Sequence, residues 1–235
     1  MTKFNEELVR KLAFDIADSD DKNEQKIAEG FVEICRFISE NPKQLSWPTK
    51  KKPADIYASE TLEALSKKHF KGYRKSDLPG QPGTIPDQMV SVVMNVAYDY
   101  SFEQCENIKK EHQYAMLAEN CVGSLLERYI DSVARADGWY WCCGNFVSAI
   151  DFVKKDSDGN WIALQIKNRS NSENSSSKTV RDGTTIEIWY RSYSKKPKTN
   201  WDKLPLSMRG YGLSEESFIS FTKDYLCSQT GLKQR

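Results

Sequence analysis

The chain has 235 residues, of which 39% are hydrophobic, and its formal net charge at pH 7 is +1. This length and apolar fraction allow a sizeable hydrophobic core in one domain, or in a catalytic domain with a helical extension. The near-neutral charge argues against a simple polycation. No segment approaches the run of about eighteen apolar residues that a membrane-spanning helix needs, and the N-terminus MTKFNEELVRKL is charged where a signal peptide is apolar. We therefore expect a soluble cytoplasmic protein that does not bind membranes.

Six cysteines and two histidines limit the chemistry that thiols and imidazoles can supply. No CxxC pair occurs, and His69 and His112 are isolated along the chain. We therefore expect reduced, partly buried thiols rather than a zinc site or a disulfide framework. A Cys–His hydrolase would need one cysteine to meet one of only two histidines, and no motif around them indicates such a family.

The first 85 residues predict a helical and loop extension. Residues 1–41 have the apolar spacing of two amphipathic helices, and the second places four apolar side chains on one face before Asn41-Pro42 ends it. A third helix is predicted over residues 59–70. Two prolines and two glycines exclude regular structure between residues 78 and 83.

A core domain is predicted over residues 86–235, with Pro86 at the first position of a helix. Ser101 and Gln104 have the spacing of a capping box. Apolar residues then recur at intervals of three and four residues, which predicts a helix ending near Ala136. Strands are predicted at 139–143, 146–154, 161–169 and 184–191, with a last helix over 214–227. Extension and core together predict an α/β protein, and one continuous domain is compatible with this pattern.

A glycine lies inside the long predicted helix. Because glycine there costs roughly 1 kcal/mol relative to alanine, Gly123 indicates the close approach of another backbone. Glu119, Gly123 and Glu127 are spaced by four, so they run along one flank of this helix. Glu127 beside Arg128 is most simply an exposed charged pair.

Residues 146–167 predict a β-hairpin that carries three polar side chains to one place. The segment DSDGN at 156–160 has turn chemistry, and the sequences on either side are rich in β-branched, aromatic and apolar residues. Gln165 and Lys167 are two apart on the second strand, so their side chains leave the same face. Asp151 lies across the turn and shares that face if the register is favourable.

A carboxylate, an amide and a lysine are together the parts of a hard-cation site with an activated water nearby. Oxygen ligands hold Mg²⁺, and the metal lowers the pKa of its water while neutralising phosphate charge. These are the requirements of phosphodiester hydrolysis. Considered alone, a solvated edge hairpin explains the same three residues more simply.

Ile150-Asp151, followed by Gln165-Ile166-Lys167, resembles the PD-(D/E)xK nuclease motif in its QxK variant, which occurs among type II restriction endonucleases. Ile150 stands where the motif has proline, and Gln165 replaces the usual acid and removes one negative charge. The sequence that follows is similar to that of SinI-type restriction endonucleases, which cut GGWCC. The similar segments are QIKNRSNSENSSS at 165–177, RDGT at 181–184 and WYR at 189–191.

The resemblance implies a restriction-endonuclease-like α/β core, with a mixed β-sheet flanked by helices and an N-terminal helical extension. It also implies Mg²⁺-dependent, site-specific hydrolysis of double-stranded DNA. Such an enzyme belongs to a restriction-modification system and acts as a homodimer, because a two-fold axis matches a palindromic site. GGWCC is the site that the finer resemblance implies.

The resemblance also assigns roles to the motif residues. Asp151 would bind the metal, with the main-chain carbonyl of Ile166 as a second ligand, and Gln165 would contribute its amide oxygen or hold a metal-bound water. Lys167 would orient or help deprotonate the attacking water and stabilise the charge developing on the phosphate. A helix glutamate often assists in this family, so we expect a contribution from one of two candidates, Glu119 or Glu127.

Basic residues concentrate in two regions, each with an excess of six positive charges. Residues 161–210 contain ten Lys or Arg against four acids, and residues 43–75 contain nine against three. Interleaving with Ser, Asn, Thr and aromatic residues suits phosphate and base-edge contacts, although a solubilising loop explains the run Lys50-Lys51-Lys52 more simply. In the resembled family the loop after the catalytic lysine contacts DNA, so we expect DNA contacts from Asn168, Arg169, Asn171, Ser172, Asn174, Lys178, Arg181 and Arg191.

Two other functions stay open from the sequence. A non-catalytic, sequence-specific DNA-binding protein would use the same scaffold, with a metal site weakened by Gln165. A DNA repair or junction nuclease would share the chemistry and differ in substrate. Plasmid digestion with Mg²⁺ separates the three: discrete bands indicate a restriction enzyme, a smear a nonspecific nuclease, and intact plasmid with a mobility shift a binding protein.

Overall fold

The fold is a mixed four-stranded sheet flanked by helices. A computed structural model describes residues 3–47, 55–170 and 186–231. In chain order the helices and strands are α1 (Glu6–Phe14), α2 (Lys22–Glu40), α3 (Ser59–Arg74), α4 (Gln88–Tyr98), α5 (Phe102–Ala134), β1 (Tyr140–Trp141), β2 (Phe152–Lys155), β3 (Trp161–Arg169), β4 (Glu187–Ser192) and α6 (Glu215–Thr230). The strands follow in the order β1-β2-β3-β4, antiparallel except for the parallel pair β3–β4. The predicted α/β class is confirmed. No helix in the described part of the chain is long and apolar enough to cross a membrane.

Local sequence signals explain where the helices begin. The Asp21 side chain caps α2 by accepting hydrogen bonds from the backbone N–H groups of Asn23 and Glu24. The capping box predicted for α5 is present: Gln104 N donates to Ser101 Oγ at 3.2 Å, and Ser101 N donates to Gln104 Oε1 at 2.8 Å.

Helices α1 to α3 share one hydrophobic core with the sheet. Val9 of α1, Phe31 of α2 and Leu65 of α3 are buried together with Val153 and Ala163, which pair across β2 and β3 and so lie on one sheet face. On the opposite face, buried Trp189 of β4 packs against Trp201.

The chain divides into two compact units. One comprises Met1–Lys75 with Glu127–Phe221 and contains the sheet; the other comprises Ser76–Leu126 with Thr222–Arg235 and contains α4. These units group residues that lie close together in space. The predicted division between residues 85 and 86 instead separates an extension from a core domain, according to which parts fold together. That division stays a prediction.

The strand predicted over 146–154 begins later than expected, because β2 starts at Phe152. Residues 146–148 instead pair with residues 44–46: Ser46 N donates to Phe146 O at 2.8 Å, and Ser148 N donates to Gln44 O at 2.7 Å. The left-handed backbone of Ala149, with φ of 57°, then separates this short pairing from the sheet.

Two smaller expectations about helices are wrong. Pro86 is not the first residue of α4, because the helix begins at Gln88 and Asp87 caps it by accepting a hydrogen bond from Met89 N. Gly123 does not accommodate another backbone: a Cβ added there would meet no atom within 4 Å among the residues that the structure describes.

Candidate active site

The β2–β3 register places Asp151, the residue before β2, beside the middle of β3. Phe152 pairs with Leu164 in an antiparallel ladder, so Asp151, one residue earlier, lies opposite Gln165. Asp151 N donates to Leu164 O at 2.9 Å, and Cys142 N donates to Asp151 O at 2.8 Å. Backbone hydrogen bonds on both sides therefore fix the position of Asp151.

The Asp151 side chain is half-buried and held by the neighbouring strand. Its Oδ2 accepts a hydrogen bond from the backbone N–H of Ile166 at 2.6 Å. Burial raises the pKa of Asp151 to about 6, although the Ile166 hydrogen bond and the charge of Lys167 both lower it. A carboxylate whose pKa is raised in this way is stabilised in its charged form by a cation.

Gln165 and Lys167 complete a cluster with Asp151. Both side chains lie on the face of β3 that also presents Ala163. Gln165 is buried and Lys167 half-buried, and Lys167 is close enough for its charge to lower the pKa of Asp151. The structure thus brings together the three motif residues that the sequence predicted.

The oxygen donors of this cluster fit a hard divalent cation. Asp151 offers a carboxylate fixed by the Ile166 N–H, Gln165 an amide oxygen, and Ile166 a main-chain carbonyl. Within the described residues there is no group of three or more His, Cys, Asp or Glu that could hold a metal ion. Mg²⁺ tolerates such a set, because it is usually bound through one or two carboxylates and keeps several waters.

Glu127 is the helix glutamate that the structure places near Asp151. Its Oε2 accepts a hydrogen bond at 2.9 Å from the indole N–H of Trp141, the residue before Cys142. Burial is the main cause that raises the pKa of the Cys142 thiol, and the charges of Asp151 and Glu127 raise it further. Both carboxylates therefore lie near one thiol.

Two other charged residues of α5, Arg128 and Glu119, have different surroundings. Arg128 stacks over the Trp141 ring at 5.1 Å and donates to the carbonyl of Lys75 at 2.9 Å, so it is not a freely solvated charge. Glu119 is exposed and belongs to the unit that contains α4. Its role in the site stays a prediction.

Three of the residues predicted to contact DNA lie at the ends of β3 and β4. Arg191 donates from Nε to Asn168 Oδ1 at 3.0 Å and forms an ion pair with Glu215 at 2.5 Å. Arg169 donates to the Ser194 carbonyl at 3.2 Å. The other five lie outside the described residues: Asn171, Ser172, Asn174, Lys178 and Arg181. All eight DNA contacts stay predictions.

A basic groove lies beside α3. The sequence analysis did not assign this groove to the active site. It has a volume of about 830 Å³, and its lining includes Lys67, Lys68, Lys71 and Lys75 together with Gly144. Gly144 is two residues from Cys142, hence at most about 7 Å along the chain, and the Cys142 N–H binds the Asp151 carbonyl. The basic excess of residues 43–75 was the sequence signal for this groove.

Cys143 and His69 form a contact that the sequence did not predict. Cys143 Sγ lies 3.3 Å from His69 Nδ1, and both residues are buried. Burial raises the pKa of Cys143 well above its usual value and lowers that of His69 to about 4. Both groups are therefore neutral near pH 7, and without a thiolate the pair lacks the nucleophile of a Cys–His hydrolase.

Comparison with known proteins identifies the family. The family model for the SinI restriction endonuclease matches residues 10–228. The chain is 41% identical over 203 residues to the type II restriction enzyme Eco47I of Escherichia coli and 39% identical over 203 residues to the type II restriction enzyme SinI of Salmonella infantis. Each match covers 86% of this chain and 88% of the relative. Type II restriction enzymes are site-specific endonucleases that bind double-stranded DNA and generally use a divalent metal ion. The resemblance predicted from the motif is confirmed, and the chain belongs to the SinI family of type II restriction endonucleases.

Proposed function

We propose that this protein hydrolyses phosphodiester bonds of double-stranded DNA in a Mg²⁺-dependent, site-specific reaction centred on Asp151 and Lys167. The observation that carries the proposal is the convergence of Asp151, Gln165 and Lys167 on one part of the sheet, in a chain of a restriction endonuclease family. The pKa of Asp151, raised to about 6 by burial, fits a carboxylate that receives a cation.

Asp151, the Ile166 carbonyl and the Gln165 amide oxygen would hold the metal ion. When bound, Mg²⁺ lowers the pKa of its water and neutralises charge on the phosphate. The Ile166 N–H fixes Asp151 Oδ2, so the carboxylate is oriented before any ligand arrives. Lys167 orients the attacking water and stabilises the negative charge that develops on the phosphate. Glu127 adds a second carboxylate near the site and offsets the charge missing at Gln165.

The DNA substrate and its symmetry are part of the proposal. Similarity to the SinI-type sequence at 165–191 supports GGWCC as the site, and a two-fold symmetric site is matched by a homodimer. Arginines near the end of β3 would read guanine, as bidentate Arg–guanine pairs commonly do. A cytoplasmic location follows from this substrate.

The basic groove beside α3 supports contact with the DNA backbone. The Lys68 ammonium lies over the Trp47 ring at 5.3 Å, and Lys67 forms an ion pair with Glu63. Exposed Lys71 and Lys75 extend the basic surface. We assign this groove to phosphates flanking the one that is cut, a contact that strengthens binding without selecting sequence.

The test is digestion of matched plasmids with and without GGWCC, comparing wild type, Lys167→Ala and Asp151→Asn. We expect discrete Mg²⁺-dependent bands from the wild type on the GGWCC plasmid alone, and no detectable cleavage by either variant. Lys167→Ala should still shift the cognate duplex in a binding gel, because it removes one half-buried side chain from the strand.

A matched control is Lys155→Ala, which removes a lysine from β2 at the hairpin end, where Lys155 pairs with Trp161. It should cut like the wild type. Near-normal cleavage by Lys167→Ala would remove Lys167 from the chemistry. A wild type that shifts the duplex but never cuts would favour the non-catalytic binding protein, and a smear would favour a nonspecific nuclease.

A further inference from the structure

Helix α4 is apolar and almost wholly exposed. Its sequence, QMVSVVMNVAY, contains no charged residue, and within this fully described helix Ser91 is its one buried residue. Met89 is 61% exposed, Val93 57% and Val96 80%. Monomeric proteins rarely leave a contiguous apolar patch of this kind in water, and such patches usually mark an interaction site.

The packing of α4 on α5 explains why these side chains are outside. The two helices meet through polar groups: Ser91 Oγ donates to Glu106 Oε1 at 2.8 Å, and the Cys105 thiol donates to Ser91 O at 3.6 Å. Lys109, only 6% exposed, donates to the carbonyl of Asp87 at 3.4 Å. This helical pair buries polar residues and exposes valines, the reverse of an amphipathic helix that faces water.

The exposed residues have the spacing of a helix–helix seam. Met89, Val93 and Val96 are separated by intervals of four and three residues, which is the spacing of the apolar positions in a coiled coil. Ile85, Val90 and Val92 extend the patch, each at least 40% exposed. At on the order of 100 Å² per side chain, these six residues offer roughly 600 Å² per protomer, which approaches the about 800 Å² per partner of a standard interface.

The charges around the patch select its occupant. Asp87 and Asp99 flank α4 and Glu103 follows, so this surface repels DNA phosphates and anionic lipid headgroups alike. A two-fold contact sets one surface against its own copy. An uncharged row of side chains can pack against its own copy without like-charge repulsion. The acidic residues then lie at the solvated rim of the interface.

We propose that the α4 surface is the homodimer interface, on which α4 of a second copy packs about a two-fold axis. This inference rests on the proposed homodimeric restriction endonuclease and gives that dimer a location. Its test is separate from the cleavage chemistry, because α4 contains none of the residues assigned to the Asp151 cluster.

The experiment is sedimentation velocity of the full chain without DNA, for wild type, Val93→Glu and Val96→Glu. We expect the wild type to sediment at twice the chain mass of 27.0 kDa and both variants at the chain mass. Leu206→Glu is the matched control, since Leu206 is an equally exposed apolar residue, 80% exposed, in the other unit. It should remain dimeric. Equal helical circular dichroism in all four proteins shows that each is folded.

Plasmid cleavage by the same proteins separates the two proposals. A folded, monomeric Val93→Glu or Val96→Glu supports the interface, whether or not the wild type cuts DNA. A monomeric wild type, or folded variants that both remain dimeric, overturns the interface and leaves the nuclease proposal intact. A wild type that is monomeric and floats with phosphatidylcholine vesicles also overturns it, in favour of a lipid surface.

Discussion

At the residue scale, Gln165 is the main departure of this site from the usual motif. An acid at this position would lie beside Asp151 across the strands, where a second negative charge strengthens the attraction for a divalent ion. We expect Gln165→Glu to retain some cleavage activity and to change the relative activity with Mg²⁺ and Mn²⁺. The measurement is the cleavage rate across concentrations of each metal.

The control for this change is Gln113→Glu, which introduces the same charge in the unit that contains α4. It should leave the metal profile unaltered. If the profile of Gln165→Glu also matches the wild type, Gln165 does not touch the metal or its waters.

His69 makes stability depend on pH through its burial. The imidazole has a pKa of about 4 in the folded chain against 6.5 as its ordinary value, because burial opposes the charged form. Between these values the unfolded chain binds a proton that the folded chain does not. Stability therefore falls as pH drops from 6.5 to about 4, by up to about 3 kcal/mol from this residue.

The comparison variant is His69→Gln, which is polar and does not titrate. Urea unfolding at pH 7.5 and pH 4.5 should show a larger loss of free energy of unfolding for the wild type than for the variant. Parallel losses would mean that His69 is protonated in the folded chain, and that its contact with Cys143 does not keep it neutral.

At the element scale, two helical glycines have opposite surroundings. A Cβ on Gly72 of α3 would lie 2.4 Å from the backbone nitrogen of Gly144, whereas a Cβ on Gly123 of α5 would meet nothing within 4 Å among the described residues. We expect Gly72→Ala to destabilise the fold by about 1 to 3 kcal/mol or more, since backbone must move. Gly123→Ala should stabilise it by up to about 1 kcal/mol.

Thermal unfolding of the two alanine variants measures both changes against the wild type. A neutral Gly72→Ala would show that α3 and the loop after β1 are not held together. A destabilised Gly123→Ala would support the prediction that another backbone approaches Gly123 closely.

Elements defined by local signals were predictable. The hairpin turn is held as expected, with Asp156 Oδ1 accepting from Asp158 N and Asn160 N. The motif residues share a site because one hairpin carries all of them. The prediction was wrong for the early part of the strand at 146–154, because those residues pair with residues 44–46, about a hundred positions away in sequence. The local sequence pattern does not indicate pairings over such a distance. The Cys143–His69 contact and the basic groove depend on the same distant packing.

At the scale of the whole molecule, one hydrophobic core contains residues from both sides of the predicted division at residue 86. Phe31, Leu62 and Phe70 of the first helices are buried against Phe146 and Val153 of the sheet region. The Arg74 guanidinium, which binds Glu24 at 2.6 Å, further ties α3 to α2. The extension is therefore part of what covers the sheet face that carries Gln165 and Lys167.

We expect a fragment of residues 86–235 to lack a cooperative fold, because removing α1 to α3 exposes the buried sheet face, including Val153 and Ala163. The measurement is urea unfolding followed by circular dichroism, with the full chain as reference. Adding a separate fragment of residues 1–85 should restore a cooperative transition, since it resupplies the missing half of the core. A sharp transition from the 86–235 fragment alone would contradict the prediction and make residues 1–85 a dispensable extension.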